Sequence, residues 1–303
     1  MSAQPLQTIA QCNHRFGTKT HYPMVSLIRP GQTDILPEQL RFGFYAVWLQ
    51  ETPSPSATVF GRTEYDFTDG TMVFLRPGEF AECNLWYKEG CKTNRLLCFH
   101  PSLIEMIKKE CGWKQFSFFR YRLDESLHLS LRERMVVERE MDSLDEELRW
   151  GIDEHSRTII CYKIALLLDY IDRFYDRQFI TRHDINSELI KATEQWFDHF
   201  FRSGKIREKG IPSTVSLAER FNHSASYFND MLKHETGKDT AEFVKCKRIA
   251  IAKELLQQGE KSVTEIAAEL GFPTHRGFCS LFKKFCGCDP RYYNHCSSNK
   301  NPE

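Results

Sequence analysis

The sequence has no long apolar segment of the kind that crosses a membrane. No apolar run in the 303 residues reaches the roughly 18 residues that predict a transmembrane helix. The start of the chain also lacks the basic residues, apolar run and small-residue cleavage site of a secretory signal. The eleven cysteines are an odd number, which argues against a complete disulfide framework. These features predict a cytoplasmic protein with free thiols and no membrane partner.

Net charge of either sign is also absent, because 41 lysines and arginines balance 41 aspartates and glutamates. The distribution is uneven, since residues 205–303 hold 16 basic and 12 acidic side chains. A basic C-terminal part is compatible with a polyanionic partner, and equally with a chance fluctuation. The length itself favours two domains.

The sequence is poor in groupings that would mark an enzyme or a metal centre. We find no nucleophile–base constellation and no phosphate-binding glycine loop, so we predict no enzymatic activity, no catalytic residue and no cofactor. The first hundred residues hold only three histidines, widely spaced, which disfavours a metal-binding β-barrel. Four residues near the C-terminus lack the C-x-x-C spacing of structural zinc sites and are interpreted as non-ligating: Cys286, Cys288, His295 and Cys296.

Short apolar runs separated by glycine and proline fill the first hundred residues and predict a small barrel or sandwich of β-strands. Residues 43–50 form an apolar, aromatic run of strand length. The segment 63–80 predicts a hairpin that turns at Asp69-Gly70. Three aromatic residues of this part either line a ligand pocket or belong to the core: Trp48, Trp86 and Tyr87.

Two long amphipathic helices are predicted next. Ser130 and Glu133 form a capping box at the start of the first, whose apolar stripe is Val137, Met141, Leu144 and Leu148. The second is predicted over 153–175, with the stripe Ile160, Ile164, Leu167, Leu168, Ile171 and Tyr175. Such an αα-hairpin packs both stripes on the β-part or pairs one stripe with its twin in a homodimer, which we favour. The polar segment 175–186 is predicted to be a connector.

A pair of short helices occurs twice in the C-terminal part. Residues 213–223 match 262–272 at an offset of 49, and residues 228–237 match 278–287 at an offset of 50, which indicates an internal repeat. In each copy a Ser or Thr precedes each helix, as N-caps do, and Asn or Gly separates the two helices. Two helices joined by so short a turn are typical of a helix-turn-helix.

One long helix is predicted between the two copies, over Asp239 to about Gln258. At about 1.5 Å per residue it spans roughly 28 Å, and one turn of B-DNA spans about 34 Å. A linking helix of that length suits two recognition helices in successive major grooves.

These residues resemble the AraC family of bacterial transcription regulators. The resemblance covers about 187–296 and rests on the repeat, on RIAIAKELL (248–256) and on SVTEIAAELGF…FKKFCGCDPRYY. It implies an α+β protein in which a small cupin-like β-barrel and a long αα-hairpin (1–182) sense a ligand and dimerise. An all-α domain (186–300), with two helix-turn-helix units joined by a linker helix, binds DNA. The segment YDFTDGTMVFLRPGE (65–79) carries the looser N-terminal likeness.

The resemblance also implies which side chains contact DNA. In the first unit the base-reading positions are Ser226, Tyr227, Asn229 and Asp230. In the second they are His275, Arg276, Cys279 and Ser280. Three lysines about a turn later are placed to contact phosphate: Lys233, Lys283 and Lys284.

Two of these positions depart from the family, which often has arginine where this chain has Asp230 and Ser280. An aspartate facing DNA is repelled unless it accepts a hydrogen bond from cytosine N4. Asn can pair with adenine and Arg with guanine, so Asn229 and Arg276 fit the expectation better.

We therefore predict a sequence-specific transcription regulator, an activator, that binds promoter DNA and works with RNA polymerase in the nucleoid. The first domain would dimerise the chain and hold any small effector. The alternative is a ligand-binding or protein-interaction module whose helix-turn-helix pair no longer binds DNA, which Asp230 motivates.

Overall fold

The protein forms two compact units, Met1–Arg182 and His183–Glu303, called unit 1 and unit 2. The computed structural model describes residues 4–29, 39–50, 60–82, 94–110, 116–206 and 210–293. Trp86, Tyr87, His295 and Cys296, which the sequence singled out, lie outside these residues.

The described residues of unit 1 form two β-sheets. The larger is antiparallel with strand order β2-β7-β4-β5-β8, and the smaller has the order β1-β3-β6. The strands are β1 (Gln4–Leu6), β2 (Val25–Ile28), β3 (Gln39–Phe42), β4 (Tyr45–Gln50), β5 (Gly70–Leu75), β6 (Phe80–Glu82), β7 (Arg95–Phe99) and β8 (Leu127–Leu129).

The described strands do not close into a barrel. The larger sheet ends at β2 and β8, and the smaller one ends at β1 and β6. The observed architecture is thus a mixed β region with helices. The predicted cupin-like barrel is not closed over the described residues. Strand β4 lies at the centre and has both faces covered, because Trp48 packs into one core cluster and Val47 and Leu49 into another. Burial on both faces accounts for the continuous apolar run at 43–50.

The predicted hairpin at Asp69-Gly70 is wrong. Strand β5 begins at Gly70, but it pairs with β4 and β8, and residues 62–69 form turns and bends. The Asp66 carboxylate accepts hydrogen bonds from the Thr63 N–H (2.7 Å) and hydroxyl (2.9 Å). These local bonds, which the Asp66 carboxylate accepts from a residue three positions earlier, favour a turn over an extended strand.

The αα-hairpin is present and packs within unit 1. The described α-helices of this unit are α1 (Ile9–Arg15), α2 (Pro101–Glu110), α3 (Leu131–Trp150) and α4 (Ser156–Thr181). The capping box of Ser130 and Glu133 begins α3, as predicted. All the apolar residues predicted for the two stripes belong to one core cluster with the larger sheet. The stripes therefore follow the first of the two alternatives, packing on the β-part, and the homodimer stays a prediction.

The predicted connector at 175–186 is wrong, because helix covers nearly all of it. Helix α4 runs to Thr181, and the next helix begins at His183. Gln178 is buried, accepts from the His128 N–H (2.8 Å) and donates to the Ser126 carbonyl (3.0 Å). Polar residues of this segment are thus satisfied against β8, so low hydrophobicity did not mean an exposed connector. Over the described residues, no helix is both long and apolar enough to cross a membrane.

Unit 2 is helical throughout its described regular structure. Its described α-helices are α5 (His183–Arg202), α6 (Thr214–Arg220), α7 (Ala225–Thr236), α8 (Thr240–Gln258), α9 (Val263–Glu269) and α10 (His275–Cys286). A short 3-10 helix, Pro290–Tyr292, follows the N-cap Asp289. Buried phenylalanines dominate the core of this unit: Phe197, Phe201, Phe228, Phe278 and Phe282.

Candidate nucleic-acid interface

Two helix-turn-helix units, α6–α7 and α9–α10, are built by the same local chemistry. Each of the four helices begins at a predicted cap: Ser213, Ser224, Ser262 and Thr274. Glu265 completes a capping box with Ser262. These caps satisfy backbone N–H groups that a helix start leaves without partners. The sequence prediction of the two units is confirmed.

The turn of each unit passes through a left-handed residue. Asn222 has φ 58° and Gly271 has φ 70°, the conformation that ends helices and that Asn and Gly adopt most readily. Gly237 and Gly287 end the second helices in the same conformation. The offset of 49 between Asn222 and Gly271 in the sequence thus corresponds to one repeated backbone turn.

Packing stabilises these short helices. Helices below about 12–15 residues are marginal in isolation, and α6 and α9 have 7 residues each. In the second helices, Phe228 and Phe278 are fully buried. Their rings lie 5.9 Å from Phe221 and 5.1 Å from Phe272, which are turn residues. Aromatic contacts therefore hold each turn against its second helix.

Helix α10 presents a basic face. Arg276, Ser280 and Lys283 are exposed and lie at i, i+4 and i+7, so they share one side of the helix. Phe278 and Phe282 lie on the opposite side of the helix and are buried. Lys284 and His275 are exposed as well.

Cys279 is less accessible than its neighbours on α10. It is half-buried, and its Sγ lies 3.6 Å from Nε2 of His275. Burial and the charge of Asp289 raise the pKa of the Cys279 thiol. A raised pKa keeps the thiol neutral at pH 7, so we expect a weak hydrogen-bonding group here rather than a reactive thiolate.

Helix α7 presents an equivalent but less basic face. Ser226, Asp230 and Lys233 again lie at i, i+4 and i+7. Helix α7 contains one lysine, one aspartate and one glutamate. Helix α10 contains one arginine, two lysines and no acidic residue. We therefore expect the second helix-turn-helix unit, α9–α10, to provide most of the attraction to a polyanion.

Two predicted base-reading residues of α7, Tyr227 and Asn229, contact other residues of the protein. Tyr227 is buried, and its ring stacks on that of His223 at 5.1 Å. The side-chain oxygen of Asn229 accepts from the N–H and the hydroxyl of Thr240, both at 3.1 Å. Thr240 is the first residue of α8, so Asn229 joins the first recognition helix to the linking helix. Their contacts with bases stay a prediction.

Sequence reasoning missed one further residue of this domain, Arg248 of α8. It is buried and donates from Nε to the carbonyl of Leu270 at 2.9 Å. A signal was available, because Arg248 lies four residues from both Val244 and Ala252, which are buried on the same helix.

Metal ligands are not grouped in the part of the chain that the structure describes, where no three His, Cys, Asp or Glu side chains lie together as a site. Cys286 and Cys288 are half-buried.

Comparison with known proteins places these units in a family. A model described as a helix-turn-helix domain matches residues 217–295. The chain is 33% identical over 244 residues to the HTH-type transcriptional activator RhaS of Salmonella schwarzengrund (strain CVM19633), covering 77% of this chain and 79% of that protein. It is 22% identical over 157 residues to YobQ, an uncharacterized HTH-type transcriptional regulator of Bacillus subtilis (strain 168).

The YobQ match covers 52% of this chain and 58% of that regulator, so the chain spans less than two thirds of it. Among solved structures, ToxT of Vibrio cholerae is similar with a TM-score of 0.30 and 12% identity, over 89% of this chain and 97% of that one. The extent and identity of the RhaS match confirm the resemblance inferred from the repeated helices and the linking helix. The chain belongs to the AraC family of helix-turn-helix transcriptional regulators.

Proposed function

We propose that this protein is a transcription activator that binds promoter DNA by placing α7 and α10 in two successive major grooves. The observation that carries the proposal is the pair of capped helix-turn-helix units on either side of one 19-residue helix, α8. A helix of that length spans about 28 Å, close to the roughly 34 Å of one DNA turn. The name of RhaS, an activator, supports the sign of regulation.

The two recognition helices would contribute unequally. On α10, Arg276 is the best candidate for direct reading, because a guanidinium can donate two hydrogen bonds to guanine. His275, Cys279 and Ser280 would contact neighbouring base edges, and the lysines of α10 would neutralise phosphate. On α7, Ser226 and Asp230 would read bases, with Asp230 accepting from cytosine N4.

The rival function is a module that no longer binds DNA. It is supported by the charges of α7, where acidic side chains outnumber lysines. A salt titration separates the two. Full-length protein is titrated against its upstream intergenic duplex by fluorescence anisotropy at several salt concentrations. Each phosphate neutralised contributes about −0.9 to the slope of log K against log salt. A steep slope of log K against log salt supports the regulator. Weak binding that depends on neither salt nor sequence would contradict it and favour a function in binding other proteins.

The variant Lys283→Ala tests the phosphate contacts in the same titration. We expect weaker binding to all sequences and a slope smaller by about 1, because one phosphate contact is lost. Lys109→Ala, an exposed lysine of unit 1, serves as the matched control and should leave the slope unchanged. An equal change in both variants would contradict the assignment of Lys283.

For the rest of the chain, we infer that residues 1–182 form the sensing and dimerising domain and 186–300 the DNA-binding domain. The two sheets of unit 1 would be a cupin-like fold for a small effector. As an activator, the protein would act on the nucleoid in the cytoplasm and contact RNA polymerase.

A homodimer would use a different face of α4 from the stripe predicted by sequence. Ile159, Tyr162 and Leu166 are 37%, 51% and 46% exposed and lie at i, i+3 and i+7, so they share one side of the helix. We expect Tyr162→Lys to shift sedimentation velocity from dimer to monomer, because a charge in an apolar interface loses its hydration. Val215→Lys, also at an exposed apolar residue but in unit 2, should stay dimeric. Dimers unaffected by Tyr162→Lys would exclude this face.

A further inference from the structure

Arg248 is a charged residue at a core position of the linking helix α8. It is 6% exposed and lies in register with Val244, Ala252 and Leu256, which are buried at steps of four residues. Residues at such spacing share a face of a helix. The face of α8 that packs inside unit 2 therefore has a guanidinium where an apolar side chain would be expected.

The guanidinium of Arg248 contacts the turn of the second helix-turn-helix unit. Its Nε donates to the carbonyl of Leu270 at 2.9 Å. Its central carbon lies 3.7 Å from the centre of the Phe272 ring, a cation–π distance. Leu270 ends α9, Phe272 packs on Phe278 of α10, and Gly271 between them is left-handed. One side chain thus holds both sides of the turn that sets the angle between α9 and α10.

This arrangement is unfavourable for stability alone. Over the described residues of unit 2, Arg248 forms no ion pair, and its Nη2 is buried without a hydrogen-bond partner. Burial lowers the pKa of Arg248 to about 10. Burying a charge without a counter-charge costs free energy, and breaches of such packing rules tend to lie at functional positions.

The linking helix α8 contacts the first helix-turn-helix unit, α6–α7, through a different pair of residues. Near its start, the Thr240 N–H and hydroxyl both donate to Asn229 of α7 at 3.1 Å. Polar side-chain contacts therefore fix α8 to the first recognition helix at one end and to the second turn further along. Hydrogen bonds constrain direction as well as distance, which apolar contacts alone do not.

We propose that Arg248 is a positioning residue that fixes the second helix-turn-helix unit on α8 and thereby sets the spacing of the two DNA half-sites. The inference rests on the proposed function, since it needs both recognition helices to contact DNA. It goes further by assigning the preference for one spacing to a residue that is buried away from the DNA-reading faces of α7 and α10. Sequence-reading and spacing preference would then be separable properties of this domain.

The test is a spacing series. Duplexes selected by the wild-type chain from a random pool are remade with one base pair inserted or removed between the half-sites. One base pair shifts the second half-site by about 3.4 Å and rotates it by roughly 34–36°. We expect the wild-type chain to bind these duplexes at least about tenfold more weakly, which corresponds to about 1.4 kcal/mol.

Arg248→Met keeps the length of the side chain and removes the hydrogen bond and the charge. We expect it to bind the selected spacing about tenfold more weakly and to discriminate against the shifted spacings by less than about threefold. Binding to a duplex with the second half-site scrambled should not change. Lys245→Met, an exposed lysine on the same helix, should keep the wild-type spacing preference.

Two further variants cover the case in which Arg248→Met does not fold, as judged by loss of a cooperative thermal transition. Arg248→Lys keeps a donor and a charge and should restore part of the preference, and Phe272→Leu removes the aromatic face and should reduce it. Equal weakening at every spacing, or an unchanged preference in folded variants, would overturn the inference and leave the proposed function intact. A wild-type chain that selects no duplex would overturn both.

Discussion

Arg182→Met is expected to destabilise unit 1 by about 3–5 kcal/mol, because it leaves a buried carboxylate without its counter-charge. Arg182 donates to the two carboxylate oxygens of Asp66 at 3.0 and 2.7 Å, and also to the Gly61 carbonyl at 3.1 Å. The Asp66 side chain is 0% exposed and that of Arg182 7%. Water therefore has little access to Asp66 in the folded state and cannot replace the lost partner.

Denaturant unfolding followed by tryptophan fluorescence measures this effect. Trp196 is the one tryptophan after residue 182, so a Trp196→Phe background restricts the signal to the first 182 residues. Arg29→Met is the matched control, because the Arg29 side chain is 43% exposed and its partner Asp142 is 42% exposed. Its other partner, Asp145, is buried but keeps an ion pair with Arg149. Exposed pairs contribute roughly 0–1 kcal/mol. A loss for Arg182→Met no larger than that for Arg29→Met would refute the buried-pair argument.

The pH dependence of the same variant has a defined sign. Burial alone would raise the pKa of Asp66, but the hydrogen bonds and charge of Arg182, with the Thr63 N–H, outweigh it and lower the pKa. A lowered pKa in the folded state contributes stability above the unfolded value near 4, and this stability is lost as the pH falls through the folded value.

In Arg182→Met, burial is no longer opposed by the arginine, so the pKa of Asp66 should rise. Protonation then removes the buried charge at mildly acidic pH. We expect the stability difference between wild type and variant to be largest near pH 7 and to narrow towards pH 4. A difference that is constant over this range would show that lost packing, not the unpaired carboxylate, causes the destabilisation.

Arg276→Ala is expected to weaken specific DNA binding by about 1–3 kcal/mol and to relax the sequence preference at one base pair. Arg276 is exposed on α10 beside Ser280 and Lys283, opposite the buried Phe278. A guanidinium that donates two hydrogen bonds to guanine discriminates against other bases. A phosphate contact would instead be lost equally on all sequences.

Anisotropy competition with duplexes altered at single base pairs distinguishes these two roles. Arg173→Ala, an exposed arginine on α4 of unit 1, removes the same charge and should bind as wild type. Uniform weakening of Arg276→Ala across all duplexes would reassign Arg276 to the phosphates. Binding as tight as wild type would remove it from the interface.

Family membership also confirms that the chain is a regulator rather than an enzyme. This agrees with the sequence, in which no catalytic grouping was apparent. The prediction of a regulator depended on the C-terminal repeat, because the resemblance to the family was carried mainly by residues 187–296.

The sequence by itself determined the helix-turn-helix pair, because the signals for those elements are local. A cap such as Ser262 bonds to a residue three positions on, and a left-handed Gly271 ends the helix before it. The apolar residues Phe228 and Phe278 repeat at matching positions, so both helices and turns could be placed within a few residues. Ser130 and Glu133 gave the start of α3 for the same reason.

Only the tertiary structure decided the features that depend on partners distant in sequence. Asp66 turns the chain where a strand was predicted and pairs with Arg182, 116 residues away. Gln178 makes a polar segment helical and buried through bonds to β8, 50 residues away. Asn229 was predicted to read a base, and only the structure shows its bond to Thr240. The spacing of Arg248 from Val244 and Ala252 indicated burial, but its partner Leu270 could not be read from the sequence. Periodicity and capping report interactions along one helix or turn, whereas the burial of a polar group depends on which donor or acceptor the fold brings to it.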